Sequence, residues 1–156
     1  MSTKNTGVGE KEVSYFKQGK NCAEAVLLAL SEELGISSEL IPSIATGLGG
    51  GLGRNGFVCG AVSGGTMVIG LKGAGKGKRL VYPVVDKFVG DFQSRFGNVN
   101  CRELIRVDLK TEEGLAYLKE KGHKRCSGFV RFAADRVYEL VNIKEVVNQP
   151  YTNSES

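Results

Sequence analysis

Four thiols are the side chains best equipped for chemistry in this sequence: Cys22, Cys59, Cys101 and Cys126. They stand tens of residues apart, and no C-x-x-C occurs. That spacing argues against a zinc ribbon, a thioredoxin-type pair and a sequential ferredoxin cluster. The absence of C-x-x-C-H argues against covalently attached haem. Thiols this far apart do chemistry together only if the fold gathers them. Gathered, four thiolates suit an iron–sulfur cluster or a tetrahedral metal such as zinc, and paired thiols suit disulfide exchange. Ungathered, they are small buried hydrophobes. The single histidine, His123, lies three residues before Cys126. It could join a ligand set or donate a proton near a thiolate, although a lone histidine in a lysine-rich turn is more often solvated. No paired carboxylates and no Ser-His-Asp constellation point to hydrolysis.

The elements that must position these thiols read as helices. Residues 1–9 are polar and expected to be loose, leaving 10–142 as one helical domain and 143–156 as a polar tail. Glu10 to Gln18 is a first helix, with Val13 and Phe16 three apart. In NCAEAVLLALSEELG, Asn21 can cap and Glu24 can reach back to the cap amide, which puts Cys22 at the first helical position. Val26, Leu27, Leu30 and Leu34 form its apolar stripe. Ser38 to Ala45 reads as a short helix capped by Ser38. Leu80 to Phe96 carries Val81, Val84, Val85, Phe88 and Phe92 at helical spacing, with Pro83 set to kink or start it. Asn100, Cys101 and Glu103 repeat the Asn21, Cys22, Glu24 arrangement. Thr111 caps a further segment with Leu115 and Leu118 inward, and a last helix begins near Cys126 and buries Phe129, Val130, Ala133, Val137, Leu140 and Val141. No stretch alternates with period two. The expected fold is all-α: a compact, mostly antiparallel bundle of about eight helices.

Each cysteine then falls at a helix start, where free amides and the helix dipole favour a thiolate. Cys126 gains Lys124 and Arg125 as neighbours. The expectation is that four helix mouths converge on one electropositive pocket, with some thiol pairs close enough to bridge.

At the centre of the chain stands GLGGGLGRNGFVCGAVSGGTMVIGL, Gly47 to Leu71. It reads as a glycine-rich loop followed by a buried helix with Cys59 at its mouth. Gly56, Gly60 and Gly64 recur every fourth residue, a bare ridge where another backbone, or a second subunit, can approach. Gly51 to Gly56 fits G-x-G-x-x-G, but helix and loop precede it and position 76 is lysine, so the dinucleotide reading fails. Gly70 to Lys76 fits G-x-x-x-x-G-K, yet Gly77 replaces the magnesium-binding hydroxyl. What survives is an anion-binding nest, with Gly53, Arg54, Gly56 and Gly60 as candidate ligand contacts. On that alternative the protein is a non-enzymatic small-ligand or interaction module whose cysteines only pack.

A chain of 156 residues is long enough for a real core, and its formal charge of +4 does not argue for nucleic acid. The amino-terminal segment lacks a signal-peptide core and a twin-arginine pair, and residues 57–71 are too short and glycine-rich to span a bilayer. A cytoplasmic protein is the expectation. In a reducing compartment, four cysteines are more often metal ligands or redox thiols than structural disulfides.

Cys59-Gly60-Ala61-Val62-Ser63-Gly64, with Cys22 before it and Cys101 and Cys126 after it, resembles the four-cysteine CGAxxG (C_GCAxxG_C_C) family of putative redox-active proteins. The similarity runs over most of the chain, roughly Val13 to Leu140, and includes the glycine-rich lead-in. The resemblance implies a small helical domain with a redox centre or redox-active thiols, a possible oxidoreductase, working with an unidentified partner protein. Iron–sulfur binding, suggested for relatives exported in folded form, is part of what it implies; the twin-arginine signal behind that suggestion is absent here.

Overall fold

The computed structural model describes residues 7–143. Of these, 73% are helical, in eight α-helices, one 3-10 helix and one π-helical turn, with no strand longer than one isolated bridge. Their order is α1 (Val8–Lys17), α2 (Cys22–Glu33), α3 (Gly49–Leu52), α4 (Gly60–Lys72), α5 (Lys78–Phe96), α6 (Cys101–Ile105), α7 (Glu112–Tyr117) and α8 (His123–Asn142). The all-α bundle with a buried glycine-rich helix is what the sequence implies.

α8 is the post of the bundle. Phe129, Val130, Ala133, Ala134, Val137 and Leu140 are buried along it, and α1, α2, α4 and α5 pack against it. Phe92 and Phe96 of α5 meet Phe129 and Phe132 of α8 in a cluster of tilted and edge-on rings, with Phe88 edge-on to Phe92, an arrangement that suits the ring quadrupoles. Arg136 ties the same two helices, its Nε 2.7 Å from Asp91 Oδ2.

α4 crosses α2 with no side chain between the backbones. A Cβ on Gly60 would lie 3.0 Å from the Ala23 amide nitrogen, and one on Gly64 would lie 2.7 Å from the Ala23 carbonyl oxygen. The ridge is therefore taken up inside the chain. Gly56 is not part of it: it precedes the helix with φ 75°, and a Cβ there would meet Arg102 Cβ at 2.9 Å.

Four local expectations are corrected. Val8 and Gly9 are not loose but buried in α1, where the Gly9 amide donates to Asp135 Oδ1 at 3.1 Å. Ser38 to Pro42 forms turns, and a 3-10 helix follows at Ser43–Leu48; Ser38 Oγ caps only a turn, accepting from the Leu40 amide. Pro42 has no amide to carry a helix through. Pro83 sits inside α5 rather than starting it. Finally, α7 passes through a π-helical turn, Leu118–Gly122, directly into α8. Residues 1–6 and the tail after Ile143 lie outside the described residues.

Candidate functional site

Cys22 is placed by the best-defined helix start in the chain. Asn21 Oδ1 accepts from the Glu24 amide and Glu24 Oε2 accepts from the Asn21 amide, both at 2.9 Å, a complete capping box. The same two side chains reach the 3-10 helix: Asn21 Nδ2 donates to the Thr46 carbonyl and Thr46 Oγ1 donates to Glu24 Oε1. Sequence reasoning finds the cap; it misses this tether, because nothing local links residues 21 and 46.

Cys59 and Cys101 are placed together by backbone. Val58 and Asn100 form an antiparallel bridge. Around it the Cys59 amide donates to the Val99 carbonyl at 2.8 Å, the Cys101 amide to Phe57 at 2.7 Å and the Arg102 amide to Gly56 at 3.1 Å. Cys59 is the N-cap of α4 and Cys101 the first residue of α6. The likeness between the two Asn-Cys-x-Glu starts is thus only partial. Asn100 makes no side-chain cap, and its own amide is held by Asn98 Oδ1. The amides that would have favoured a thiolate at Cys101 are spent on the bridge.

Cys126, unlike the other three, is not at a helix mouth. Gly122 before α8 is right-handed helical, φ −63° and ψ −36°, so the backbone enters from the π turn without a break and Cys126 sits a full turn inside. The side chain of His123 lies outside the described residues.

The four thiols nevertheless converge. Cys22, Cys59, Cys101 and Cys126 all line one cavity of about 620 Å³. Cys22 is half-buried and the other three are buried; all four are free thiols. Of the candidate ligand contacts, Gly53, Arg54 and Gly60 line the same cavity and Gly56 does not. Among the described residues its charged lining consists of Lys20, Arg54 and Lys119, with no carboxylate. Much of the remaining wall is apolar, including Phe16, Leu104, Ile105, Leu109, Leu118 and Phe129. Lys20 and Lys119 carried no signal in the sequence beyond standing beside Asn21 and Leu118.

The glycine lead-in does more than clear space. Gly50, Gly51, Leu52, Gly53 and Arg54 are all left-handed, with φ between 57° and 69°. Hydrogen bonds six residues apart close this wide turn: Gly53 amide to Gly47 carbonyl, Gly56 to Gly50 and Phe57 to Gly51. Leu52 and Arg54 each carry a Cβ in a conformation that costs about 1–2 kcal/mol.

The electrostatics single out one sulfur. The Cys22 thiol donates to Cys126, which lowers the Cys126 pKa against the effect of burial, with help from Arg125. Lys124 contributes nothing comparable. The donating Cys22 is pushed well up by that bond and by burial, so the pair gives up one proton readily and the second reluctantly. Burial pushes Cys59 up to about 12, although the Ala61 and Val62 amides face its sulfur and oppose the rise without forming a cap hydrogen bond. Burial likewise pushes Cys101 up to about 11, with Arg102 opposing. At both, desolvation outweighs the helix-start effect. The lowered pKa expected of one thiol is present, but a neighbouring thiol supplies it rather than a helix mouth.

Among the described residues, no three histidine, cysteine, aspartate or glutamate side chains are arranged to hold one metal ion. Four thiols are the donor type of a tetrahedral zinc site as well as of an iron–sulfur cluster. The donor set around the cavity is all thiol, and a polynuclear iron–sulfur cluster, whose ligands are spread over several irons, fits its chemistry. Among the described residues no helix is long and apolar enough to cross a membrane.

No curated protein and no solved structure matches the chain. A family model described as putative redox-active protein (C_GCAxxG_C_C) matches residues 20–140, a span that holds all four cysteines of the cavity. With its four thiols and its CGAVSG motif inside that match, the chain belongs to the C_GCAxxG_C_C family of putative redox-active proteins.

Proposed function

We propose that the cavity is a redox centre in which Cys22, Cys59, Cys101 and Cys126 ligate an iron–sulfur cluster. One observation carries this reading: four thiols from four distant parts of the chain face the same cavity. A dithiol would need only two of them. Cys59 and Cys101, held protonated by burial, are poor nucleophiles, yet both can ligate once a metal displaces the proton. Lys20, Arg54 and Lys119 would offset the negative charge of a cysteine-ligated cluster. When bound, such a cluster supplies one-electron transfer. The protein's part is to fix the four sulfurs and to set the polarity and solvent access around them.

The hydrogen bond from Cys22 to Cys126 favours a second reading, thiol–disulfide exchange. There the Cys126 thiolate attacks a partner disulfide and expels one partner thiolate. Cys22, losing its proton, then attacks the mixed disulfide at Cys126 and releases the second thiolate. Two electrons pass to the partner, and a Cys22–Cys126 disulfide remains.

Anaerobic reconstitution with ferrous iron and sulfide tests the first reading. The expected result is bound iron and sulfide with visible charge-transfer absorption, diminished by serine at any of the four positions. Iron uptake indifferent to all four substitutions would exclude the cluster. Mass spectrometry after mild oxidation would then be expected to find the Cys22–Cys126 disulfide.

A further inference from the structure

The cavity offers more than four sulfurs. At about 620 Å³ it falls within the roughly 300–1,000 Å³ of small-molecule sites. Its ionic lining is one-sided: Lys20, Arg54 and Lys119 reach it, and no acidic side chain among the described residues does. None of these three cations is ion-paired among the described residues, whereas Lys11, Lys87, Arg102 and Arg136 each hold a carboxylate. Arg54 is kept at the cavity in a left-handed conformation that glycine would adopt without strain. Backbone strain of this kind persists where the surroundings impose it, and it clusters at ligand clamps.

The wall between the cations decides what kind of ligand fits. A bare inorganic anion would leave the apolar surface of Phe16, Leu118 and Phe129 uncovered. A neutral apolar molecule would leave the cations unused, and a cation would be repelled. We propose that the cavity binds a small organic anion, with its carboxylate-type head held by Lys20, Arg54 and Lys119 and its apolar body against Phe16, Leu118 and Phe129. The inference deepens the reading of this cavity as a redox centre and rests on it: the anion is the class of molecule that meets the thiols.

The test is calorimetric titration of the reduced, full-length, anaerobically purified protein. The probes are benzoate, 2-naphthoate and decanoate, each against its neutral primary amide. At low salt, at least one carboxylate is expected to bind with 1:1 stoichiometry and about tenfold or more tighter than its amide, the range for a charge-assisted hydrogen bond. Arg54→Ala and Lys119→Ala should each weaken it by about tenfold, while Arg54→Lys retains most of the affinity. Lys87→Ala, whose lysine pairs with Asp91 away from the cavity, should leave it unchanged. Equal affinity for acid and amide, no binding of any carboxylate, or binding indifferent to both alanine substitutions would overturn the inference. Iron uptake measured on the same samples separates the two readings. Carboxylate binding without iron uptake sinks only the cluster; iron uptake without carboxylate binding sinks only the anion site.

Discussion

Replacing Gly64 with alanine adds one methyl group where two helices touch through their backbones. The new Cβ would lie 2.7 Å from the Ala23 carbonyl oxygen and 3.2 Å from its Cα. Ordinary contact begins near 3.4 Å, so α2 must give by about 0.7 Å. A backbone cannot rotate out of the way as a side-chain end can, and overpacking of this kind costs about 1–3 kcal/mol. Alanine also raises helix propensity by roughly 1 kcal/mol, which hides part of that cost. Gly70 removes the ambiguity. It lies on the same helix, is exposed, and has nothing within 4 Å of an added Cβ. Gly70→Ala takes the propensity gain alone, so the difference between the two variants isolates the overpacking. At about 2–4 °C per kcal/mol for a domain of this size, Gly64→Ala should melt about 2–12 °C below Gly70→Ala. Thermal unfolding followed by circular dichroism measures it. Melting temperatures equal within a degree would refute the close crossing. Since α2 begins at Cys22 and α4 follows Cys59, the Gly64 variant should also change the alkylation rate of Cys126, whose hydrogen-bond donor is carried on the displaced helix.

Other consequences follow from individual residues. In the metal-free reduced protein, iodoacetamide should modify Cys126 first near neutral pH; Cys22→Ala should move the alkylation midpoint of Cys126 upward, and peptide mapping that finds Cys59 first would contradict the assignment. Glu12 is fully buried with neither carboxylate oxygen hydrogen-bonded among the described residues, and burial, together with the charge of Asp135, pushes its pKa well up. The folded protein therefore holds a proton that the unfolded chain releases above about pH 4.3, and stability should fall with rising pH by up to about 1.4 kcal/mol per unit over that window. Urea unfolding at pH values stepped upward from 5 should show this slope until the folded carboxyl itself ionises, and Glu12→Gln should remove it; an unchanged slope would refute the assignment to Glu12. Asn21→Ala should cost about 1–2 kcal/mol in urea unfolding because a capping box and a tether depend on it, while Asn100→Ala, which removes no side-chain cap, should cost far less.

Helical periodicity made most of the bundle legible. Val84, Phe88 and Phe92, and the apolar face of the last helix, are buried where the spacing puts them. The glycine ridge was legible as a close approach because no other residue type permits one. The convergence of the thiols was legible as an economy of a small domain, but its mechanism was not. Cys22, Cys59 and Cys101 do stand at helix starts and Cys126 does not, but a capping box holds only the first of them. Cys59 and Cys101 meet through a bridge one residue pair long, too short to show as alternation. Cys126 is carried by a helix that enters through a π turn, which no sequence pattern at Leu118–Gly122 announces. Burial at residues 8 and 9 was hidden by polar neighbours: Val8 and Gly9 are small, and what encloses them is α8, more than a hundred residues away. Lys20 and Lys119 became visible only once the cavity had a wall.

The bridge between Val58 and Asn100 has a consequence for how the site would fail. Three backbone hydrogen bonds fasten the segments that carry Cys59 and Cys101 to one another, and both cysteines are buried. Neither segment can lift away without releasing its counterpart. Exposure of the two thiols is then a single cooperative opening, not two independent ones. An oxidant arriving from solvent would find both sulfurs sheltered or both within reach, and damage to them would accumulate in pairs.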